Sequence, residues 1–285
     1  MKRLPRPILT ASQVYDACIS GVKDVTILAR YKAASKAFEA ASLVYEAHAS
    51  AHSLYQFPAC AWGKGEQVIL DSLTKADLGE LYESYMVNKR YPGRSYYDQL
   101  LASAPLGKCP YCGFGQATTV DHFLAKARYP AFSVMPNNLV PACSDCNKGK
   151  GSVIVLKDTE ASHPYFEDAR IEKDAWLFAT IAESKPVTAT YAFVAPLDWP
   201  SDLSLRVKSY FGEFDLADRF AIEAASEMVS VSDYLTALPT QRLRTAHLNL
   251  IAQMERGQRT NGWKAALYEA LSRSDWYCAS GYIHS

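Results

Sequence analysis

The sequence has no apolar segment near the ~20 residues that a helix needs to cross a lipid bilayer, so a membrane-spanning protein is not indicated. Its N-terminal segment MKRLPRPILT also lacks the apolar stretch of an export signal, because Pro5 and Pro7 interrupt it. The sequence contains no internal repeat and no low-complexity tail. We therefore expect a cytoplasmic globular protein that makes no membrane contact.

The chain also lacks an excess of charge of either sign, since 30 Lys and Arg offset 30 Asp and Glu. This balance argues against a protein that coats nucleic acid through bulk electrostatics, so any phosphate binding must be local. One segment is locally basic, because residues 107–152 hold five basic and two acidic side chains. These are Lys108, Lys126, Arg128, Lys148 and Lys150, against Asp121 and Asp145.

At 285 residues the chain can bury a substantial core, as one large domain or two modest ones. The residue composition and the predicted secondary structure change at two points along the chain. We predict a helical N-terminal region over residues 1–104 and a compact region rich in Gly, Pro, Cys and Asn over residues 105–170. A mostly helical C-terminal region is predicted over residues 171–285, packing on the compact region or binding partners.

Helix-start patterns support the N-terminal prediction. Thr10 with Gln13 and Thr74 with Asp77 match the capping box, in which the first and fourth residues bond each other's backbone. Between them lies the Ala-rich segment ARYKAASKAFEAASLVYEAHASAHSLYQF. Its apolar and aromatic residues favour one long amphipathic helix; they include Phe38, Leu43, Val44, Tyr45 and Leu54.

Two histidines, His48 and His52, lie one turn apart on this predicted helix. That spacing could hold a metal, but no acidic or Cys partner is evident nearby. We interpret them as helix-surface or interface histidines.

The C-terminal region carries two kinds of pattern. The stretch from Trp176 to Tyr191 fits either paired strands or a short helix, and prolines punctuate the sequence around it. Residues 214–238 and 240–272 show helical periodicity.

Seven cysteines are present, and four of them form two Cys-x-x-Cys pairs about thirty residues apart. A two-residue spacer lets both sulfurs of a pair reach one ion. Thiols in the cytoplasm stay reduced, so the pattern indicates a metal site and not disulfides. Cys109, Cys112, Cys143 and Cys146 therefore predict a structural zinc site, since a closed shell of four sulfurs leaves no position for substrate. Cys18, Cys60 and Cys278 are interpreted as small packed side chains.

Between and just after the Cys pairs stand Asp121, His122, Asn138 and Asn147. Here the chain resembles the HNH family, also called the ββα-metal nucleases, in the variant with Asp-His, Asn and a terminal Asn. The matching pieces are DH at 121–122, NL at 138–139 and CNKGKG at 146–151. The resemblance covers about forty-five residues and implies an α+β, mainly helical protein, with a small zinc-stabilised ββα-metal motif embedded between helical N- and C-terminal regions.

Phosphodiester hydrolysis requires an activated water, relief of negative charge and help for the departing oxygen. With an unperturbed pKa of ~6.5, His122 can be neutral near pH 7 and act as general base. The resemblance implies that Asp121 and Asn147 hold a catalytic cation, for which their oxygens favour Mg²⁺ or Mn²⁺. It also implies that Asn138 bridges the loop backbone and keeps His122 aimed. Neighbouring residues of a strand point to opposite faces. The resemblance therefore implies a loop-like bend that lets Asp121 hold the metal while His122 faces the water.

Four basic side chains are candidates for phosphate contacts, and a helix start after Cys146 would add to their attraction. They are Lys150, Lys148, Lys126 and Arg128, with Lys150 preferred over its alternative as a solvated surface lysine. His163 either approaches the site or belongs to a structural turn with Tyr165 and Phe166 in the core, and we favour the turn. The aromatic segment YPGRSYYDQLL either stacks bases or packs against the motif, and we favour packing.

These patterns predict an endonuclease that cuts DNA by one-metal hydrolysis, with duplex DNA as the expected substrate. Two alternatives stay open: a nuclease directed at RNA, since such a site reads phosphate more than base, and a zinc-stabilised binding or scaffold module without turnover. A small HNH motif between large helical flanks also resembles effector nucleases of bacterial anti-phage defence, which implies protein partners.

Overall fold

The computed structural model describes all residues, 1–285, and divides them into two compact units. One unit comprises residues 2–167, and the other comprises Met1 with residues 168–285. None of the helices combines the length and the hydrophobicity that crossing a membrane requires. The division of the sequence into 1–104, 105–170 and 171–285 stays a prediction.

The unit of residues 2–167 contains five helices and two short strand pairs. The helices are α1 (Ala11–Ile19), α2 (Val25–Ser50), α3 (Lys75–Glu80), α4 (Arg94–Ala102) and α5 (Ser144–Lys150), with a π-helical turn at Leu81–Met86. The strands are β1 (Val68–Leu70), β2 (Leu73–Thr74), β3 (Thr119–His122) and β4 (Leu139–Ala142), pairing β1 with β2 and β3 with β4.

Two helices begin at the capping boxes that the sequence predicts. At the start of α1 the Thr10 side chain accepts from the Gln13 amide, and the Gln13 side chain accepts from the Thr10 amide. Thr74 and Asp77 make the same reciprocal pair at the start of α3. Each box satisfies two amides that a helix start leaves without partners.

The long helix α2 begins at Val25, four residues before the predicted segment, because the Asp24 carboxylate caps it. Residues three or four apart form its buried face: Tyr31, Ala34, Phe38, Ser42, Tyr45 and Ala49. Leu43 and Val44 were expected on that apolar face, but they are 65% and 48% exposed. The prediction was wrong for these two because they follow Ser42 around the helix, away from the buried stripe.

A ββα arrangement forms the centre of this unit. Strands β3 and β4 pair antiparallel from Thr119 opposite Ala142 to His122 opposite Leu139. Cys143 then ends the strand and α5 begins at the next residue. The predicted fold class, α+β and mainly helical with a small ββα motif between helical regions, is confirmed.

The unit of residues 168–285 consists of one hairpin and six helices. The hairpin joins β5 (Leu177–Ala182) and β6 (Thr188–Phe193), so the strand interpretation of this stretch is correct. The helices are α6 (Arg170–Lys173), α7 (Ser201–Glu213), α8 (Leu216–Thr236), α9 (Gln241–Gln258), α10 (Trp263–Arg273) and α11 (Asp275–Ala279). Residues 240–272 therefore form two helices.

The break between α9 and α10 places a buried asparagine where it ties this unit together. The Asn261 amide oxygen accepts from the amides of Trp176 and Leu177 at 2.9 and 3.1 Å. Its nitrogen donates to the carbonyls of Ile171 and Asp174. Since every polar atom of a buried amide needs a partner, these bonds fix the start of the hairpin against α10.

Candidate active site

The first Cys pair lies in a tight turn. The Cys109 amide donates to the Gly115 carbonyl, and the Gly113 amide donates back to the Cys109 carbonyl. Gly113 has a φ of 83°, a conformation that side chains rarely adopt. A Cβ on Gly115 would lie 2.9 Å from Cys143 Sγ. The turn therefore depends on glycine where it meets the second pair.

The second pair joins β4 to α5. Cys143 is the N-cap residue of α5, and its sulfur accepts from the Cys146 amide at 3.4 Å. All four sulfurs are buried and lie within 4.8 Å of one another. The Cys112 and Cys143 sulfurs are 3.8 Å apart, matching the ~3.8 Å edge of a tetrahedron with Zn–S bonds of ~2.3 Å. The predicted assembly of the four cysteines is confirmed, and the cluster fits zinc.

The crowding of the thiols alters their acidity. Hydrogen bonding from Cys109 lowers the pKa of Cys112 to about 6 and also lowers that of Cys143. The same contacts raise the pKa of Cys109 and of Cys146. A zinc ion would hold all four as thiolates, the form that ligates metal.

Helix α5 presents two polar side chains to one face of β3. Asn147 and Lys150 are three residues apart and so share a helix face, while Thr119 and Asp121 alternate onto the same strand face. Asn147 Nδ2 donates to Thr119 Oγ1 at 3.1 Å, which keeps its oxygen as an acceptor. Asn147 and Asp121 thus belong to facing elements, which are linked by the Asn147–Thr119 and Lys150–Asp121 bonds.

Lys150 lies in the interior, which corrects the expectation of a phosphate contact. Its side chain is 6% exposed, and its ammonium donates to Asp121 Oδ2 at 3.1 Å. It also donates to the carbonyls of His122 and Phe123. Tyr111 donates to the same Asp121 oxygen at 3.2 Å. Burial raises the pKa of Asp121, and Lys150 and Tyr111 oppose that shift, so they stabilise the carboxylate.

Replacing Lys150 by methionine is expected to destabilise the chain by about 3–5 kcal/mol, because it leaves the Asp121 carboxylate buried without its cation. Urea unfolding measures this change. Lys148→Met is the matched control, since Lys148 is exposed on the same helix and its loss should leave stability nearly unchanged. Adding Asp121→Asn to Lys150→Met should recover part of the lost stability. Equal stability of Lys150→Met and the native chain would contradict the role of the ion pair.

His122, the last residue of β3, is oriented by one hydrogen bond. Its Nε2 lies 2.8 Å from the Ser133 carbonyl, and because a carbonyl only accepts, the ring proton is on Nε2. Nδ1 is then the nitrogen that can take a proton. Burial lowers the pKa of His122 to about 3, and the charges of Lys126 and Lys150 act in the same direction. The ring is neutral at pH 7, as a general base must be.

Asp121 and His122 leave β3 on opposite faces. The pairing with β4 is regular through both residues, with Asp121 opposite Val140 and His122 opposite Leu139. The loop-like bend that the family resemblance implies is absent from the strand. Asp121 faces α5, whereas the His122 ring packs edge to face on Tyr82, with ring centres 4.4 Å apart.

Asn138 joins both ends of the loop that follows His122. Its Nδ2 donates to the carbonyls of Leu124 and Phe132, each at 3.1 Å. Its Oδ1 accepts from the Leu124 amide at 2.7 Å. Since Phe132 precedes Ser133, this amide fixes the peptide beside the carbonyl that orients His122.

The four basic candidates differ in exposure. Lys148 is exposed, while Lys126 pairs with Glu83 and lies over the Tyr82 ring. Arg128 is 7% exposed and lies over Trp62, with 5.3 Å to the ring centre. Lys148 and Lys126 are therefore the candidates that solvent can reach.

The aromatic segment before the first Cys pair packs on the motif through Tyr97, as favoured. Tyr97 is buried, and its hydroxyl accepts from the Val120 amide at 3.3 Å.

His163 and Tyr45 contact the site from outside the motif. His163 is buried in the turn with Tyr165 and Phe166, as favoured, and it also stacks on Phe123 with ring centres 3.9 Å apart. Tyr45, on α2, donates to Asn138 Oδ1 at 3.0 Å. No sequence pattern indicates this bond, because a tyrosine on the apolar stripe of a helix is typical of a core residue.

His48 and His52 are separate from the site. His48 lies on α2, whereas His52 follows the end of the helix at Ser50, so the prediction that both lie on one helix is wrong for His52. His48 Nδ1 contacts Ser53 Oγ at 2.9 Å, and His52 Nε2 lies 4.0 Å from the Glu167 carboxylate. They do not point to one ligand, in agreement with their interpretation from sequence.

Acid is expected to destabilise this unit through its buried histidines. Burial lowers the pKa of His163 well below 6.5, as it does for His122. Below pH ~6.5 the unfolded chain binds two more protons than the folded chain, so stability falls as pH falls, by up to about 2.7 kcal/mol per pH unit. Urea unfolding between pH 7 and 5 measures the slope. His163→Gln should halve it, and equal stability at both pH values contradicts the prediction.

Comparison with known proteins adds two findings. The HNH endonuclease family model matches residues 109–152. Over nearly its whole length the chain is 30% identical to protein ea31 of Escherichia phage lambda, in an alignment of 291 residues that covers 96% of this chain and 98% of the relative. No solved structure matches the chain. The HNH match includes both Cys pairs and the residues between them, and it excludes Tyr45 and His163.

Proposed function

Because the chain belongs to the family of protein ea31 and its residues 109–152 match the HNH endonucleases, we propose that it is a metal-dependent endonuclease acting on duplex DNA. The observation that carries the proposal is the pairing of two features on adjacent residues. His122 is held neutral with Nδ1 as acceptor. Asp121 lies on the face of β3 that contacts α5, the helix that bears Asn147.

In this proposal His122 Nδ1 takes a proton from water, and the water oxygen attacks phosphorus. The phosphorus–oxygen bond to the leaving nucleoside breaks, and the departing oxygen takes up a proton from solvent. A Mg²⁺ or Mn²⁺ ion held by Asp121 and Asn147 would supply relief of negative charge at the phosphate. Asn138 keeps the loop beside His122 in place, and Lys148 and Lys126 are the proposed contacts to the DNA backbone.

A digestion panel tests the substrate. The zinc-loaded chain is passed over chelating resin in place of soluble chelator, so that the four-Cys zinc stays bound. It is then incubated with supercoiled plasmid, single-stranded DNA or RNA, with or without Mg²⁺ or Mn²⁺. We expect plasmid cleavage that requires the added cation. Cleavage of RNA alone would identify an RNA-directed nuclease, and no cleavage of any substrate would favour the binding or scaffold module.

A role as an effector in bacterial anti-phage defence, with protein partners bound by the helical regions, is a further part of the proposal. Its support is the resemblance of a small nuclease motif between helical flanks. Expression in a bacterial host should reduce phage plaque counts, and the His122→Ala variant should not. Equal counts with the native chain and the variant contradict this role.

A further inference from the structure

A chain of buried hydrogen bonds runs from outside the HNH segment to the residue that secures the His122 loop. His163 Nδ1 accepts from the Tyr165 amide at 3.1 Å, so the ring proton lies on Nε2. Nε2 is 3.2 Å from the Tyr45 hydroxyl oxygen and donates to it. The Tyr45 hydroxyl in turn donates to Asn138 Oδ1. The His163 ring also hydrogen-bonds to the Asn137 backbone, so the direction of the chain is set at its other end, where Asn138 Oδ1 can only accept from Tyr45.

The chain ends on the loop that orients the general base. Asn138 binds the Phe132 carbonyl, and the next carbonyl, that of Ser133, accepts from His122. Tyr45 also supports this point directly, because its ring packs edge to face on Phe132 with centres 5.0 Å apart. Tyr45 therefore contacts both the Asn138 amide and Phe132, the residue whose carbonyl accepts from that amide.

Burial keeps the Tyr45 hydroxyl protonated, so that it can donate a hydrogen bond. Tyr45 is fully buried, and burial raises the pKa of its hydroxyl well above 10. Asn138 is fully buried as well, and its two polar atoms make four hydrogen bonds. Loss of the Tyr45 bond would not leave Asn138 Oδ1 unpaired, since Leu124 still donates to it, but it would remove the restraint from α2.

We propose that Tyr45 is a positioning residue for the reaction, which helix α2 supplies to the HNH segment and which acts through Asn138 and the Ser133 carbonyl to aim His122. His163 lies beside the Tyr45 hydroxyl, 3.2 Å from its oxygen. This inference rests on the proposed endonuclease activity for its catalytic consequence, whereas the orientation of the His122 ring is measurable without activity.

The test compares Tyr45→Phe with Tyr15→Phe. Each variant removes one buried hydroxyl from the same unit, and that of Tyr15 donates to the Tyr31 carbonyl. We expect Tyr45→Phe to lower kcat about 10- to 100-fold, with KM and bound zinc unchanged. Tyr15→Phe should retain kcat within about twofold once rates are normalised to folded protein. Equal losses in both variants would show a merely structural role and overturn the proposal.

Two further readouts separate the possible failures. In the His122→Ala background, adding Tyr45→Phe should cause no further loss of residual cleavage, because its effect passes through His122; an additive loss overturns the proposal. Nitrogen NMR of the imidazoles should show His122 as the Nε2–H tautomer in the native chain and in Tyr15→Phe, and as a tautomer mixture in Tyr45→Phe. An unchanged His122 signal overturns the positioning inference, whereas absence of cleavage by the native chain overturns only the proposed function.

Discussion

Replacing His122 by alanine is expected to reduce phosphodiester cleavage about 10²- to 10⁴-fold, the contribution of a positioned general base. The site offers this base one role, because Nε2 is committed to the Ser133 carbonyl and Nδ1 is left to take the proton. Plasmid cleavage under single-turnover conditions measures the loss. Bound zinc should stay at the native level, since the four sulfurs are separate from the imidazole.

A second substitution guards this test against a folding defect. Glutamine at position 122 can replace the Nε2–H bond to Ser133 but cannot take a proton at neutral pH, so His122→Gln should be folded and as inactive as His122→Ala. Added imidazole should restore part of the cleavage by His122→Ala. Substituting His52, on the same unit but apart from the site, should leave cleavage unchanged. Native rates in both His122 variants would assign proton transfer to another group.

The zinc cluster and the ββα core were predictable because their signals are local. Each Cys pair lies within four residues, and the spacing alone lets two sulfurs reach one ion. The joint role of Asp121 and Asn147 is implied by the HNH resemblance of the same short segment and stays a prediction. These features need no knowledge of how distant segments pack.

The support of the site was not predictable for the opposite reason. Tyr45 is 93 residues from Asn138 in sequence, and helical periodicity predicts that Tyr45 is buried without indicating its partner. The expectation of a phosphate contact for Lys150 rests on the attraction of an ammonium and a helix start for anions. In the structure the ammonium instead binds Asp121 and the carbonyls of His122 and Phe123 in the interior. Tertiary packing therefore decided the roles that the motif left open.

Replacing Cys143 by serine is expected to remove zinc and the folded ββα core together. Structural zinc in finger peptides contributes about 10–16 kcal/mol, comparable to the whole stability of a typical domain, about 5–15 kcal/mol. Cys143 also caps α5 through its sulfur, and α5 carries Lys150 to Asp121 and Asn147 to Thr119. Loss of this ligand therefore releases the helix that completes the polar layer, so cleavage should be lost as well.

Zinc per chain measured by mass spectrometry should fall from about one to near zero in Cys143→Ser, with a drop in Tm on the order of 10 °C or more. Cys60→Ser is the matched control, because Cys60 is also buried and unpaired but lies outside the cluster; it should retain zinc and cleavage. A folded, zinc-free Cys143→Ser chain with native cleavage would separate the cysteines from the architecture of the site. Since α5 is only seven residues long and isolated helices of that length are unstable, we expect instead that the helix persists only while the cluster anchors its first turn.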